Sequence, residues 1–252
     1  MSVRAPFSFQ LYSARNFPPM DSTLSTVAEL GYTNVEPYGG LFADIGALQA
    51  GLAANGLTAL TAHAGLTDLE DDFDSMVGKI KDLGVETVIV PFVLPADRPS
   101  DAAGWTAFGQ RLGRLGEKLA AKTLKLAWHN HDFEFHKLSD GSSPIEHILG
   151  DSLAWQADIA WIVRGSADPM DWLDRYAGRV VSAHVKDIAP AGQCEDEDGW
   201  ADVGQGTMDW QALWNKAVES GADVMVAEHD NPNDYVRFAT RSIAAMKQYA
   251  ST

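Results

Sequence analysis

The feature that most constrains the fold of this chain is a repeated alternation of short apolar runs with longer amphipathic stretches. Eight apolar runs have the length and composition of strands, and each precedes a stretch whose apolar residues have helical spacing. Such an alternation is typical of βαβ units around a parallel sheet. Eight units in 252 residues predict one closed (β/α)8 barrel, a TIM barrel of the α/β class, over residues 1–252.

The competing α/β fold is an open, doubly wound sheet, which usually has a glycine-rich turn after its first strand. Residues 11–15, which follow the first predicted strand, contain no glycine, so we expect the closed barrel. The predicted strands are Phe7–Leu11, Thr33–Glu36, Leu57–Ala62, Thr87–Val90, Lys125–His129, Leu153–Asp158, Val180–Lys186 and Asp223–Glu228. The predicted helices are Ser22–Leu30, Asp44–Ala54, Asp68–Leu83, Ser100–Ala121, Pro144–Leu149, Asp168–Tyr176, Asp209–Ser220 and Asn233–Tyr249.

Charge and composition narrow the function classes. The formal net charge is −16 and no cluster of Lys and Arg offsets it, so we expect no nucleic-acid partner. No apolar run approaches the roughly 20 residues that span a bilayer. The N-terminus lacks a signal-peptide pattern, and Cys194 is the only cysteine, which excludes an intramolecular disulfide. These features favour a cytoplasmic protein with no membrane partner, and a homo-oligomer is compatible with them.

Polar side chains stand at the ends of most predicted strands, and six of the eight strands end in His, Asp or Glu. The carboxyl ends of the strands converge on one face of a TIM barrel, so these side chains predict one site there. A mixed set of imidazoles and carboxylates suits a divalent metal such as Mn, Mg, Co or Zn. The residues at or near the ends are Gln10, Glu36, His63, His129, His131, Asp158, His184, Lys186 and Glu228.

The fifth strand has the densest polar end, in the stretch Leu126–Phe135. His129 and His131 fall on the same side of the strand, about 7 Å apart, so both could face the barrel mouth. Glu134 lies five residues beyond His129, and an extended segment of that length spans about 16 Å. His129 and Glu134 can therefore face one ion only if the chain bends between them.

Several motifs along the whole chain resemble those of the xylose isomerase-like TIM-barrel superfamily, in its sugar phosphate isomerase/epimerase group. The His-x-His form at strand five also resembles inosose dehydratases and enzymes that act on 3-keto sugars. The motifs are Gln10-Leu11-Tyr12-Ser13, Gly31-Tyr32 to Glu36, His129-Asn130-His131-Asp132-Phe133-Glu134-Phe135, Asp158 with Trp161, His184-Val185-Lys186-Asp187, Val203-Gly204-Gln205-Gly206 and Glu228-His229-Asp230.

The resemblance implies a metal held by Glu, Asp, His and Glu from strands five to eight. Three of these ligands are Asp158, His184 and Glu228. Many relatives carry a glutamate at the end of strand five, where this chain has His129. We expect Glu134 to be the fourth ligand, with His129 as its rival.

The remaining polar and aromatic residues near the strand ends are candidates for contact with a substrate. Lys186 could reach the substrate or neutralise Asp187 or Glu228, and His131 could contact either ligand or metal. A sugar packs its apolar face on aromatic rings, so Trp161 could form a wall of the pocket. Each of the other candidates has a structural alternative. This is a loop tie for Glu36 and His63, a hydrogen-bonded core position for His129 and a surface salt bridge for Arg164.

The resemblance implies a metal-dependent enzyme acting on a small-molecule sugar or polyol. A carboxylate, Glu228 or Glu134, would remove a proton next to a carbonyl as general base, with Lys186 and His131 as further catalytic candidates. Return of the proton gives isomerisation or epimerisation. The alternative is β-elimination by a lyase acting on an inosose or a 3-keto glycoside. A sugar-binding barrel without catalysis is the hypothesis from a different class.

Overall fold

The computed structural model describes residues 3–251, and its main body is the predicted barrel. Its eight strands are β1 (Ala5–Gln10), β2 (Asn34–Glu36), β3 (Thr61–His63), β4 (Thr87–Val90), β5 (Lys125–His129), β6 (Ala154–Asp158), β7 (Val180–Val185) and β10 (Val224–Ala227). All are parallel to their neighbours, in the order β2-β1-β10-β7-β6-β5-β4-β3. Two short strands, β8 (Asp187–Ile188) and β9 (Trp200–Ala201), form a separate antiparallel pair after β7.

Isolated bridges join the two ends of the sheet. Asn34 pairs with Thr58, and Tyr38 pairs with His63, in the parallel sense. The backbone N–H of Val35 donates to the carbonyl of Thr58 at 2.8 Å. The sheet therefore closes on itself between β2 and β3, which confirms the TIM barrel.

The strands form where apolar and β-branched residues are buried on both faces, as parallel sheets require. All four residues of β4, Thr-Val-Ile-Val, are buried. The interior core continues into the helices, whose buried positions recur at helical spacing, as in the helix Ala102–Ala120. Trp128 and Trp155, on neighbouring strands, are fully buried. The core thereby fixes the strand ends that carry the polar residues.

Ten helices surround the barrel in the described part of the chain, and two differences from the predicted helices have local causes. They are α1 (Met20–Leu30), α2 (Ile45–Ala54), α3 (Leu66–Asp71), α4 (Phe73–Asp82), α5 (Ala102–Ala120), α6 (Pro144–Leu149), α7 (Ile159–Arg164), α8 (Pro169–Arg175), α9 (Trp210–Glu219) and α10 (Tyr235–Tyr249). The single helix predicted over 68–83 is broken at Asp72, where the backbone leaves the helical region. The stretch is rich in Asp, which favours helix caps over helix interiors. The prediction also omitted α7.

The omitted helix α7 begins directly at the end of β6, without an intervening loop. The carboxylate of Asp158 accepts a hydrogen bond from the backbone N–H of Trp161 at 2.9 Å and thereby caps the helix. The same side chain thus ends a strand, starts a helix and stands at the barrel mouth. None of the helices in the described residues is long and apolar enough to cross a bilayer.

Candidate active site

The carboxyl ends of β6, β7 and β10 bring three predicted metal ligands together. Asp158, His184 and Glu228 are buried, and each offers a ligand atom within 4.8 Å of the others. Asp158 ends β6, His184 is the penultimate residue of β7, and Glu228 follows β10 directly. Because β6, β7 and β10 are neighbours in the barrel, their register places these side chains side by side.

Glu36, at the end of β2, is the acceptor at the centre of the polar network below this group. It is fully buried and its two oxygens face five donors. Burial would raise the pKa of Glu36, but the imidazoles of His63 and His184 outweigh burial and hold that pKa well below its usual value. The donors are Gln10 Nε2 at 2.7 Å, Thr61 Oγ1, Gln156 Nε2 at 2.7 Å, His184 Nε2 at 2.7 Å and His63 Nε2 at 3.0 Å.

The contact with Glu36 fixes the orientation of His184. With Nε2 directed at Glu36, the other nitrogen, Nδ1, lies 2.9 Å from Oε2 of Glu228 and 3.7 Å from Oδ2 of Asp158. Burial would lower the pKa of His184, but Glu228 and Glu36 raise it well above its usual value. A carboxylate behind an imidazole is the arrangement that orients histidine ligands in metal sites.

Lys186 is buried among the same carboxylates. Its Nζ lies 2.7 Å from Oε2 of Glu228, 3.1 Å from Oδ2 of Asp158 and 2.8 Å from Oδ2 of Asp230. Burial would lower the pKa of Lys186, but these carboxylates raise it above its usual value, so the side chain is an ammonium ion. Of the two roles predicted for Lys186, this position favours charge neutralisation, at Glu228 rather than Asp187.

The group formed by Asp158, His184 and Glu228 fits a divalent cation. Oδ2 of Asp158 is buried and accepts no hydrogen bond, although Lys186 lies within ion-pair distance of it. Two carboxylates and one imidazole suit Mn, Co or Zn, and carboxylates also suit Mg. Negative charges outnumber positive ones around the group, since Glu36 and Asp230 add two further carboxylates.

A second group of three buried histidines, His63, His129 and His184, also has ligand atoms within 4.8 Å of one another. Here the amide of Gln156 holds two of the rings. Its Oε1 faces Nε2 of His63 at 2.6 Å and Nδ1 of His129 at 3.1 Å. Because the Gln156 amide nitrogen donates to Glu36, Oε1 is an acceptor and both ring nitrogens carry protons. The first group combines the shared His184 with two carboxylates, whose negative charge makes it the better cation site.

Glu134 lies outside both groups. It is fully buried in a short turn after β5, where Oε1 accepts from Nε1 of Trp128 at 3.0 Å and Oε2 accepts from the backbone N–H of His131 at 2.9 Å. Burial raises the pKa of Glu134 to about 8. The bend between His129 and Glu134 exists, but it directs the carboxylate back to β5 rather than to Asp158. Glu134 therefore contacts Trp128 and His131 and is directed away from the group of Asp158, His184 and Glu228, where we expected it as the fourth ligand.

A pocket of about 370 Å³ opens above the polar network. His131 contributes to its wall, and Nδ1 of His131 is buried without a hydrogen-bond partner among residues 3–251. Burial, with a smaller contribution from Lys186, lowers the pKa of His131 to about 4, so the ring is neutral at pH 7. The wall consists of Tyr12, Tyr38, Gly39, His63, Gly65, Pro91, Phe92, His129, His131, Glu228 and Asp230.

The remaining candidates lie at the edge of this arrangement. The ring of Trp161 lies 5.2 Å from that of His131, and its buried Nε1 has no hydrogen-bond partner. Arg164 donates to the carbonyl of Asp198 at 2.7 Å and stacks over Trp200, so it ties the acidic loop of residues 192–202 to α7. Neither Trp161 nor Arg164 belongs to the pocket wall.

Sequence reasoning gave no role in the site to three residues that contribute to it. Gln156 is a polar residue in the middle of β6, and a polar side chain between apolar neighbours in a strand could have indicated a role in the site. Asp230 lies in the pocket wall, two residues after Glu228. Tyr12 packs edge-on against Tyr38 at 5.2 Å to form an aromatic rim, and no sequence pattern pairs these two residues.

Comparison with known proteins agrees with this architecture. The model of the xylose isomerase-like TIM-barrel family matches residues 24–249. A sugar phosphate isomerase/epimerase from Parabacteroides distasonis superimposes with a TM-score of 0.80 at 19% identity, over 99% of this chain and 96% of that one. The IOLI protein, whose structure was solved with a bound zinc atom, superimposes with a TM-score of 0.73 at 17% identity, over 96% of this chain and 95% of that one. At these identities the superpositions show the fold.

A sequence relative with a known activity is inosose dehydratase from Lacticaseibacillus casei. It is 24% identical over 168 residues, which are 56% of this chain and 54% of that protein. The match thus covers little more than half the length of either protein.

Proposed function

We propose a function from the premise that this chain belongs to the xylose isomerase-like TIM-barrel family. The protein is a divalent-metal-dependent enzyme that isomerises or epimerises a sugar or polyol. The observation that carries the proposal is the meeting of Asp158, His184 and Glu228 beneath a pocket with aromatic and polar walls. Glu228 belongs to both the cation group and the pocket wall, so the ion and the substrate would be neighbours.

Asp158, His184 and Glu228 would hold the metal, and Glu36 would orient His184 from behind. When bound, a divalent ion supplies Lewis-acid polarisation of a substrate carbonyl. His129 contributes to the pocket wall and is the one strand-five candidate for a fourth ligand that lies near the group. We therefore propose His129, rather than Glu134, as the strand-five contact with ligand or metal.

Of the two candidate general bases, Glu228 and Glu134, we propose Glu228 as the residue that transfers the proton. Glu228 lies in the pocket wall, whereas both oxygens of Glu134 accept hydrogen bonds from Trp128 and His131. The neutral ring of His131, with its unpartnered Nδ1, is available to a substrate hydroxyl. Return of the proton to the neighbouring carbon isomerises the substrate, and return to the opposite face epimerises it.

A lyase is the second candidate, favoured by the similarity to inosose dehydratase. The same base would remove the proton next to the carbonyl, and a hydroxyl or glycoside oxygen on the β-carbon would leave. The neutral ring of His131 carries one N–H, which would donate a hydrogen bond to that leaving oxygen. A sugar-binding barrel without catalysis is the remaining hypothesis.

One experiment separates these functions. The purified protein, supplemented with Mn, Co, Mg or Zn, is incubated in D2O with ketoses, inososes and 3-keto glycosides, and the products are followed by proton NMR. Deuterium entry without loss of a substituent supports the isomerase or epimerase, and loss of a substituent supports the lyase. Sugar binding without exchange under any metal supports the binding protein and contradicts the proton-transfer mechanism.

A second experiment tests the ligands. D158A and H184A should abolish stoichiometric bound metal in elemental analysis, while E134Q should retain it. Full metal content in D158A and H184A would contradict the assignment.

A further inference from the structure

The loop after β7 contains a ring of backbone N–H groups that surrounds one carboxylate of the protein itself. Asp187 is fully buried, and its two oxygens accept four backbone hydrogen bonds. The donors are Ile188 at 2.9 Å, Gly204 at 3.0 Å, Gly206 at 3.1 Å and Met208 at 3.2 Å. A Cβ on Gly206 would meet the Asp187 carboxylate and, at 2.5 Å, the carbonyl oxygen of Ile188. The backbone therefore closes tightly around this carboxylate.

This ring of amides lies where TIM barrels frequently bind phosphate. In that fold, the loops after the seventh and eighth strands often present N–H groups to a phosphoryl group. Here Asp187 fills the cradle after the seventh strand, and none of the four donor residues is among the described residues that line the pocket. Two amides after the eighth strand, β10, are also engaged: the N–H of His229 donates to Ser13 Oγ at 3.0 Å and that of Asn231 to His229 Nδ1 at 3.1 Å. These amides are not available to a ligand.

The pocket wall has no cation that could replace these amides. Among the described residues that line it, none is Lys or Arg, and Glu228 and Asp230 are carboxylates. Lys186 is held by three carboxylates. Arg15 donates to the carbonyls of Tyr12 at 3.0 Å and Asp230 at 2.6 Å. Apart from a bound metal, a phosphate dianion in the pocket would thus face carboxylates and no Lys or Arg side chain among the described lining residues.

We infer that the substrate of this pocket carries no phosphate or other anionic group, because the pocket wall presents carboxylates and Asp187 already binds the amides after the seventh strand. The inference rests on the proposed function, which it narrows to uncharged sugars and polyols. A sugar and its phosphate ester share every group except the phosphate. The carboxylates of the wall therefore select against the ester by repelling its unpaired negative charge. The aromatic rim of Tyr12, Tyr38 and Phe92 matches the apolar face of a sugar ring.

The first test opens the cradle and uses inorganic phosphate as the probe. In EDTA, which removes metal-bound phosphate from consideration, millimolar phosphate is too dilute to stabilise proteins as a kosmotropic salt. It should leave the melting temperature of the wild type unchanged relative to chloride at equal ionic strength. D187A frees four amides, so phosphate should raise its melting temperature by a few degrees or more. The control D209A removes an exposed carboxylate that caps α9 through a single hydrogen bond, and phosphate should not stabilise it. A phosphate shift in the wild type, or none in folded D187A, would overturn the inference.

The second test adds a cation to the wall and keeps the inference testable if D187A does not fold. F92R places a guanidinium in the pocket wall, and L94R places one two residues away on a side chain that is 62% exposed and outside the wall. Calorimetry with glucitol 6-phosphate should show at least tenfold tighter binding to F92R than to wild type or L94R. If glucitol 6-phosphate bound to wild type as tightly as to F92R, the inference that the wild-type pocket excludes anions would be wrong.

The substrate assay distinguishes this inference from the proposed function. Ketoses and their monophosphates are compared in the metal-supplemented D2O exchange assay. Faster exchange of the uncharged member of each pair is the expected result. Preference for the phosphate would overturn the inference and leave the proposed function intact. Absence of exchange with all compounds would overturn the proposed function, and the phosphate-binding measurements would still decide whether the pocket excludes anions.

Discussion

Nε2 of His184, on β7, lies 2.7 Å from Oε1 of Glu36, on β2. Strands β1 and β10 separate these two strands in the barrel, so the contact crosses the barrel interior. It leaves Nδ1 of His184 on the side of Asp158 and Glu228. Glu36, a candidate for contact with sugar hydroxyls or for a loop tie, therefore orients the ring of His184, which we propose as a metal ligand.

The contact predicts that E36Q weakens metal binding by about 10- to 100-fold, the usual effect of removing a carboxylate behind a histidine ligand. The amide keeps the size of the side chain but removes the charge that fixes the His184 ring. Affinity is measured by competition with a chromophoric chelator, and urea unfolding checks that the variant is folded.

The matched control for E36Q is E134Q, which also replaces a fully buried glutamate by its amide. Because Glu134 lies outside the ligand group, E134Q should bind metal as wild type does. Loss of metal in E134Q with retention in E36Q would reverse the roles given to these two residues.

Glu134 should make the stability of the wild type depend on pH. Burial raises its pKa from 4.5 to about 8, so the folded protein holds this proton more tightly than the unfolded chain. The stabilising contribution is complete below pH 4.5 and is lost as the pH rises toward 8, by up to roughly 5 kcal/mol for a shift of this size.

The measurement is urea unfolding of wild type and E134Q between pH 4.5 and 8.5. E134Q should have a lower free energy of unfolding than wild type by an amount that does not change with pH, because its NH2 group faces one of the two N–H donors. Its free energy of unfolding should also lack the pH dependence that Glu134 contributes in the wild type. Parallel slopes in the two proteins would show that the carboxylate is ionised throughout.

Lys186 should stabilise the metal-free protein by separating three carboxylates. In EDTA, K186M should lose about 3–5 kcal/mol of unfolding free energy, since it leaves buried charges without a partner. A divalent ion should restore at least half of that loss. The free energies are obtained from urea unfolding with and without metal.

The matched control for K186M is K216M, which removes the ammonium that pairs with the exposed Asp174. It should lose less than about 1 kcal/mol, because surface ion pairs contribute little, and metal should not change its stability. Equal losses in K186M and K216M would mean that the buried pairings do not stabilise the fold.

Two glycine substitutions should have opposite effects on stability. G206A should lose about 1–3 kcal/mol or more, because its Cβ would collide with Asp187 and Ile188 in the amide ring. G113A, inside α5 with no atom within 4 Å of its Cβ, should gain about 0.5–1 kcal/mol. Thermal unfolding of both variants measures the difference. A G206A protein as stable as wild type would show that the ring around Asp187 is loose.

The sequence by itself determined the barrel and which residues stand at its mouth. Alternating apolar runs and helical spacing depend only on neighbours along the chain, and the strands β4 and β5 have the predicted bounds. Asp158, His184 and Glu228 come together because parallel register places consecutive strand ends side by side. Local pattern failed where one side chain had two local roles, as at Asp158, which ends β6 and caps α7.

Only the tertiary structure decided which polar groups pair with one another. The role of Glu36 depends on His184, which lies 148 positions away along the chain. Glu134 is turned toward Trp128 by a bend that spacing alone allows but does not require. Three of the four amides around Asp187 come from a loop that returns to it 17 to 21 positions later in the chain, so no short motif shows that the cradle is filled. Packing across the barrel fixes the direction in which a buried polar side chain points and the partner that it contacts. The sequence pattern carries no information on such contacts between residues that are far apart along the chain.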